Sequence, residues 1–218
     1  QRMFDMGARL PELGRMEFES RLRGSSPVDL AAECVERLWI HYRELVRWNP
    51  TVSLVGPGTA DEIVERHYGE SLAAIPLLEA QWRTVVDVGS GAGFPAIVLA
   101  AAVPLLEVIL VESRERKCAF LEAAARKAAL PCSCLNARVG ATPPEGLPPK
   151  IDLVTSRGVS LPQSALEGLS SRMDAKSGAL FWVGEETPDF PKSWKEAGRF
   201  QLPGSRVRSI LQARVGAE

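Results

Sequence analysis

The chain has little of what most catalytic and metal sites require. Its 218 residues include only 2 histidines, 2 tyrosines and 4 cysteines. The cysteines, at 34, 118, 132 and 134, form no C-x-x-C pair and have no histidine at ligand spacing, so no metal site is expected. Reduced thiols in a cytoplasmic protein are the plain reading. No apolar run approaches the roughly 20 residues of a membrane span, and the Ala-rich stretch 96–103 is too short to be one. The opening Gln1-Arg2-Met3-Phe4 lacks the apolar core of a secretion signal. The formal net charge is −1, which does not match the basic surface of a free-standing nucleic-acid binder. Residues 1–83 carry 10 Lys or Arg against 13 Asp or Glu, whereas 150–218 carry 10 against 8. A mild cationic bias therefore lies toward the C-terminus, with Arg199, Arg206, Arg208 and Arg214. Internal repeats and low-complexity tracts are absent. At 45% hydrophobic, the chain is long enough to bury a substantial core.

Against that sparse background, one run is dense with information: Val85-Val86-Asp87-Val88-Gly89-Ser90-Gly91-Ala92-Gly93-Phe94-Pro95. It reads as a buried strand turning through three glycines into a helix. Glycine admits positive φ and lets a ligand lie against bare backbone. Such a turn holds a nucleotide-like cofactor at the carboxyl end of a parallel strand. The pattern from Asp87 is D-x-G-x-G-x-G, and Phe94 stands where a G-x-G-x-x-G fingerprint begun at Gly89 needs glycine. Begun at Gly91, the frame through Ala96 fits the looser G-x-G-x-x-A form, so an NAD-dependent oxidoreductase stays open on this motif. The next strand, Val108 to Val111, ends on Glu112, 19 residues after Gly93. A carboxylate there accepts hydrogen bonds from the ribose hydroxyls that NAD and S-adenosylmethionine share. Asp87 at the mouth of the loop suits the cationic methionine end of S-adenosylmethionine better than a phosphate. An oxidoreductase of the Tyr-x-x-x-Lys kind finds only Tyr42 and Tyr68 to draw on.

Periodicity divides the chain at about residue 83. Residues 1–83 read as a helical extension: Asp29 caps a helix running to Arg47, with Leu30, Cys34, Leu38 and Leu45 at helical spacing. Breaks follow at Asn49-Pro50 and Gly56-Pro57-Gly58, then helices over Ala60–Tyr68, capped by Thr59, and Ser71–Glu79. Residues 84–218 alternate. Strands are expected at Thr84–Val88, Glu107–Glu112, Cys132–Leu135, Ile151–Thr155 and Ala179–Val183. Helices are expected at Pro95–Ala102, at Arg114–Ala129 after a Ser113 cap, and at Leu161–Met173. The tail predicts a helix around Trp194 and an edge pair, Arg199–Leu202 with Val207–Val215. Alternation of this kind builds a parallel α/β sheet with helices on both faces.

Between Trp48 and Gly184 the chain resembles the bacterial small-subunit ribosomal RNA guanine-N7 methyltransferases, also called glucose-inhibited division protein B. Arg47-Trp48-Asn49 before Val52-Ser53-Leu54 is similar to that family's K-W-N and N-L-T. Arg66-His67-Tyr68-Gly69-Glu70-Ser71 resembles R-H-x-x-D-S, and Asp87 to Pro95 resembles D-V-G-S/T-G-x-G-F/L-P. Glu112-Ser113 with Lys117 and Phe120-Leu121 resembles D-S-x-x-K-K/R-x-x-F-L. Ala137-Arg138-Val139 and Ser156-Arg157 are similar to A-R-V/A-E and S-R-A. No one block is specific; their order over this span is.

The resemblance implies a Rossmann-like class I S-adenosylmethionine-dependent methyltransferase, acting on 16S ribosomal RNA or the small subunit. A cytoplasmic monomer without membrane contact is expected. It implies that Gly89, Gly91, Gly93 and Phe94 line the methionine and adenosine pocket, that Glu112 holds the ribose, and that Val139 and Gly140 flank adenine. It also implies that Arg157 sits beside the cofactor as the catalytic-face residue. Three positions depart from the family: Gly140 replaces Glu, Val183 replaces Lys before Gly184, and Ser53 replaces Asn. Cofactor binding is little touched by these changes, whereas the RNA target is. Methyl transfer to guanine N7 needs no general base, because N7 carries a lone pair and no proton. Arg157 is expected to orient the base or its phosphate; its plain alternative is a pair with Asp152 or Glu185. His67 reads equally as a site or a core residue, and His41 has no expected function. Trp39, Trp48 and Trp82 offer stacking faces, and Trp39 and Trp48 are expected to pack the helices onto the sheet. Other readings are a methyltransferase for another RNA or a small molecule, or an inactive cofactor-binding assembly factor on the ribosome.

Overall fold

The computed structural model of the protein describes residues 8–216; the outermost parts of the expected N-terminal extension and C-terminal tail lie outside the described residues. Seven strands form, β1 (Thr84–Val88), β2 (Glu107–Glu112), β3 (Cys132–Asn136), β4 (Leu153–Arg157), β5 (Gly178–Val183), β6 (Trp194–Gln201) and β7 (Ser209–Val215). They join one sheet in the order β3-β2-β1-β4-β5-β7-β6. The first five are parallel and β7 runs antiparallel to β5 and β6. Six α-helices accompany them: α1 (Arg15–Gly24), α2 (Ala32–Val52), α3 (Glu70–Leu72), α4 (Ala96–Ala102), α5 (Glu115–Lys127) and α6 (Gln163–Ser170).

The sheet separates two apolar clusters because successive strand residues face opposite ways. Val85, Leu110, Leu153 and Leu180 point to one side, where they share a cluster with Phe18, Leu38, Tyr42 and Tyr68 of the N-terminal segment. Val86, Val88, Val154 and Phe181 point to the other, against Leu166 of α6 and Trp194. Covered on both faces, β1 and β4 are each buried at four of five positions, with Asp87, Thr155 and Ser156 the polar residues among them. Strand order reverses at β1, whose neighbours β2 and β4 lead to opposite edges of the sheet. A crevice opens there, at the carboxyl ends of the strands.

Several local expectations are corrected. Trp194 starts strand β6 rather than a helix. Its ring stacks on Phe190 and tilts against Phe181, an anchor for an otherwise exposed edge strand. Helix α2 begins at Ala32 without Asp29 as its cap and runs through Pro50 to Val52. What ends it is Ser53 in the left-handed region (φ 54), with the buried Asn49 Oδ1 accepting from the amides of Leu54 (2.8 Å) and Val55 (2.7 Å). The two helices expected over 60–79 are instead a π turn, Val64–Gly69, leading into α3 and a 3₁₀ turn at Ile75–Leu77. Ser113 does not cap α5, whose flanking residue is Arg114. Reduced thiols hold for Cys34 and Cys132, but Cys118 of α5 and Cys134 of β3 are disulfide-bonded. Helix α5 packs back on β3 and brings their Cα atoms to 5.9 Å, a proximity that a spacing of 16 residues does not advertise. No helix among the described residues is long and apolar enough to cross a membrane.

The glycine loop leaves β1 with Gly89, Gly91 and Gly93 all at positive φ (76°, 55° and 90°). Gly89 is the most constrained: a Cβ there would stand 2.3 Å from Val159 Cγ2. Behind the loop, Asp87 is 1% exposed. Its Oδ1 accepts from the Thr155 hydroxyl at 2.6 Å, while Oδ2 is buried with no partner among the described residues. Burial pushes this carboxyl up to about 7, against the Thr155 and Ser90 hydrogen bonds and with help from the charge of Glu112.

Two predictions come from this loop. Gly89→Ala is expected to lose about 1–3 kcal/mol of stability; adding Val159→Ala should return the steric part and leave the φ penalty. A wild-type urea midpoint in Gly89→Ala would refute the close approach. For Asp87, the folded-state value lies above the unfolded one, so between about pH 4 and 7 the unfolded chain releases a proton that the native protein keeps. Its contribution to stability falls as pH rises through that window. Relative to wild type, ligand-free Asp87→Asn should therefore gain about 2 kcal/mol between pH 5 and pH 8, read from denaturation midpoints.

Candidate functional site

A cavity of about 610 Å³ lies at the carboxyl ends of β1, β2 and β4, a size suited to a nucleoside-bearing ligand. Its floor is the glycine loop, and Glu112 at the tip of β2 fixes that floor. The carboxylate is 7% exposed; Oε2 accepts the Gly91 amide at 3.0 Å and Oε1 accepts the Arg114 amide at 2.8 Å. Other loop amides are also engaged. Those of Gly89 (2.8 Å) and Ser90 (3.2 Å) donate to the Val111 carbonyl, and that of Gly93 donates to the Ser90 carbonyl at 2.7 Å. A diphosphate needs free amides and no anion beside them. Four of the loop's amides, those of Gly89, Ser90, Gly91 and Gly93, are thus engaged, and a carboxylate stands among them, so the loop fits a cationic sulfonium with an adenosyl group better than a dinucleotide.

The wall opposite Glu112 rests on buried aromatics. Phe94 lies edge-on to His41 (5.4 Å) and Tyr68 (4.9 Å) and tilted against His67 (5.0 Å). His41, for which the sequence suggested no role, is a buttress: Nδ1 meets the Tyr68 hydroxyl at 2.7 Å and Nε2 meets the Ala92 carbonyl at 2.9 Å. Burial pushes it down to about 4. His67 lines the cavity and contacts the Thr59 hydroxyl through Nε2 at 2.8 Å. Burial and the neighbouring Arg157 and Arg66 push it down to about 3, so it is neutral near pH 7. Lys117 also reaches the wall; burial lowers its ammonium while Glu112 opposes the shift.

Of the expected site residues, Gly89, Gly91, Phe94, Glu112, Val139 and Arg157 line this cavity. Asp87, Gly93 and Gly140 do not. Asp87 was expected at the mouth of the loop; by strand alternation it points to the sheet face opposite Val88 and sits behind the floor. Gly93 packs on Ile97, and the Gly140 carbonyl lies against Gly168 of α6. Arg157, at the end of β4, pairs with neither Asp152 nor Glu185. Its Nη2 donates to Glu70 Oε2 (2.9 Å) and the Arg66 carbonyl (2.5 Å), and its Nη1 to the His67 carbonyl (3.4 Å). Asp152 instead accepts the amides of Arg83 and Thr84, both at 3.0 Å. Burial pushes the Arg157 guanidinium down to about 10, opposed by Glu70. It keeps its charge at neutral pH.

Sequence reasoning missed Glu70 as a functional position, although it stands inside the Arg66 to Ser71 block. It is 3% exposed and also receives Arg208 Nε (3.1 Å) and Nη2 (2.9 Å). The segment 158–162 was missed too; it lines the cavity and sets Val159 over Gly89. The tryptophans are structural. Trp82 is buried and donates to the Lys176 carbonyl at 2.9 Å, Trp39 packs on Phe18 and Tyr42, and Trp48 packs on Phe120. Neither tyrosine serves an oxidoreductase site: the Tyr42 hydroxyl donates to the Pro11 carbonyl, and that of Tyr68 meets His41.

Comparison with known proteins agrees with this geometry. Among solved structures, the fold is similar to an S-adenosylmethionine-dependent methyltransferase from Aquifex aeolicus (TM-score 0.57, 15% identity, 71% of this chain and 93% of that one). It is also similar to the mitomycin 7-O-methyltransferase MmcR (TM-score 0.54, 15% identity, 93% of this chain and 72% of that one). In sequence, the chain is 36% identical over 182 residues to the ribosomal RNA small subunit methyltransferase G of Paramagnetospirillum magneticum, covering 83% of this chain and 85% of that protein. It is 34% identical over 207 residues to the protein of the same name from Anaeromyxobacter sp., covering 90% and 95%. The family described as rRNA small subunit methyltransferase G matches residues 35–186. With the class I methyltransferase fold and its cofactor cradle in place, the chain belongs to the rRNA small subunit methyltransferase G family.

Proposed function

We propose that this protein transfers a methyl group from S-adenosylmethionine to N7 of a guanine in the 16S ribosomal RNA of the small subunit. The observation that carries the reading is the cradle at the strand-order reversal, where Glu112 and a glycine loop with four engaged amides favour adenosine on a cation over a diphosphate. When bound, S-adenosylmethionine supplies an electrophilic methyl on a sulfonium. The chain's own task is to place the acceptor. Guanine N7 has a free lone pair, so alignment and electrostatics suffice and no general base is required. His67, neutral, and Glu112, the one carboxylate among the described residues lining the cavity, accord with that economy. Arg157, charged and tethered at the rim, is the group that orients the guanine O6/N7 edge. Glu112 holds the ribose hydroxyls, Gly89, Gly91 and Phe94 floor the pocket, and Val139 flanks the adenine. Asp87, Gly93 and Gly140 support these positions from behind. Residues 1–83 act as an extension that shares a core with the methyltransferase domain, 84–218. A ribosomal substrate implies work in the cytoplasm, and the protein is proposed to work as a monomer.

A second reading keeps the reaction and changes the RNA. Val183 closes β5 where the family carries lysine, which removes a cation from the carboxyl edge and favours a different set of RNA contacts. Label transfer separates the two. Tritiated S-adenosylmethionine should label unmodified small subunits or naked 16S RNA, with the label mapping to one guanine N7. No label on either substrate, in a preparation that binds the cofactor, would overturn the reading.

Arg157 offers a second check. Arg157→Ala should lower kcat/KM for RNA about 100-fold while the Kd for S-adenosylmethionine moves little. Arg157→Lys should not restore the rate, because an ammonium cannot keep the guanidinium's bonds to Glu70 and to the Arg66 and His67 carbonyls while facing the base. Full activity in either variant would remove Arg157 from the orienting role.

A further inference from the structure

Three arginines from distant parts of the chain converge on one buried carboxylate, and one of them, Arg157, lines the cavity. Arg66 comes from the π turn, Arg157 from the end of β4, and Arg208 from the segment between β6 and β7. Glu70 takes Arg157 on Oε2 at 2.9 Å, and on Oε1 it faces Arg208 at 2.9 Å and Arg66 Nε at 3.3 Å. The only other carboxylate paired with these arginines among the described residues is the exposed Glu62, at 3.5 Å from Arg66. Three positive charges thus meet two negative ones, one of them out in solvent, and at least one cation is left uncompensated. Donors are left over as well. Arg208 uses Nε and Nη2 on Glu70, so Nη1 has no protein partner among the described residues, and the same holds for Nη2 of Arg66. A buried carboxylate that fixes guanidinium groups while leaving some of their N–H donors unpartnered is a scaffold for a second anion.

We propose that Arg66 and Arg208, held in place by Glu70, bind a backbone phosphate of the RNA substrate beside the target base. The proposal rests on the RNA-methyltransferase reading and adds to it. Arg157 faces the base from inside the cavity, and the outer pair fixes the strand that delivers it. Phosphate contacts set register without reading sequence, which gives the pair a job distinct from that of Arg157. The assignment also explains why a chain of net charge −1 binds RNA: the cation excess is local, gathered around one carboxylate. It further gives the β6–β7 hairpin a role, since Arg208 lies beyond the 35–186 span that defines the family match.

The test is filter binding of naked 16S RNA to the full protein between 50 and about 200 mM KCl, with methyl transfer measured alongside. Arg208→Ala and, separately, Arg66→Gln should each flatten the plot of log affinity against log salt by about one phosphate contact, a slope change of 0.7–0.9 or so. The KM for RNA should rise about tenfold, as expected for one lost charge-assisted contact. The Kd for S-adenosylmethionine should be unchanged in both, which shows that the fold is intact. Arg208→Lys should retain most of the salt slope. Wild-type slopes and KM values in both substitutions would overturn the phosphate site while leaving the methyltransferase reading untouched. RNA binding with the expected slope losses but no methyl transfer by the wild type, to naked RNA or to unmodified small subunits, would sustain the site and remove the methyltransferase reading. Failure of the wild type to bind either naked RNA or unmodified small subunits would overturn both.

Discussion

Glu70 is the constraint on which the site's assembly depends. Its carboxylate ties the π turn to the end of β4 through Arg157 and to the C-terminal hairpin through Arg208. Its backbone carbonyl accepts the Trp182 indole at 2.8 Å, so β5 is drawn in as well. A carboxylate this buried is tolerable only when its partners are close and well oriented, and removing it would strand several guanidinium charges in a poorly solvated place. The N-terminal segment is therefore not simply laid on a finished sheet. It supplies the anion that holds Arg157 on the cavity wall and Arg208 on the same carboxylate.

Glu112 performs the matching task on the cofactor side. A carboxylate at the tip of β2 is available to a ribose in either a dinucleotide site or an adenosyl site. The difference lies in what the loop amides are doing. Here Gly91 donates to Glu112, and Gly89 and Ser90 both donate to Val111, which leaves fewer loop amides for a diphosphate. Phe94, wedged among His41, Tyr68 and His67, fixes the other side of the pocket through packing alone. Both histidines of the chain are held neutral by burial, one as a buttress and one on the wall. A reaction whose acceptor has no proton to lose needs nothing more basic than that.

Cofactor chemistry was legible because it is written in contiguous residues. The strand, the three glycines, Phe94 and the acid 19 residues after Gly93 lie close in sequence, and short-range backbone physics converts that order directly into a turn and a pocket. The parallel strands and the presence of an edge pair were legible for the same reason; its antiparallel direction came from the structure. Trp194 was misread as helical because an edge strand exposed along most of its length shows no amphipathic period. Asn49-Pro50 was misread as a break because the stop signal is a buried side chain accepting amides five and six residues on.

The sequence by itself determined the fold class, the cofactor loop and the family, since each rests on local patterns of glycine, apolar alternation and ordered motif blocks. Only the tertiary structure decided which of those residues reach the cavity. It put Asp87 behind the floor, joined Cys118 to Cys134, and gathered Arg66, Arg157 and Arg208 around Glu70. The physical reason is that charge pairing and burial act through space. Glu70 and Arg208 are 138 residues apart along the chain and within hydrogen-bonding distance in the fold, a relation that no period or spacing encodes.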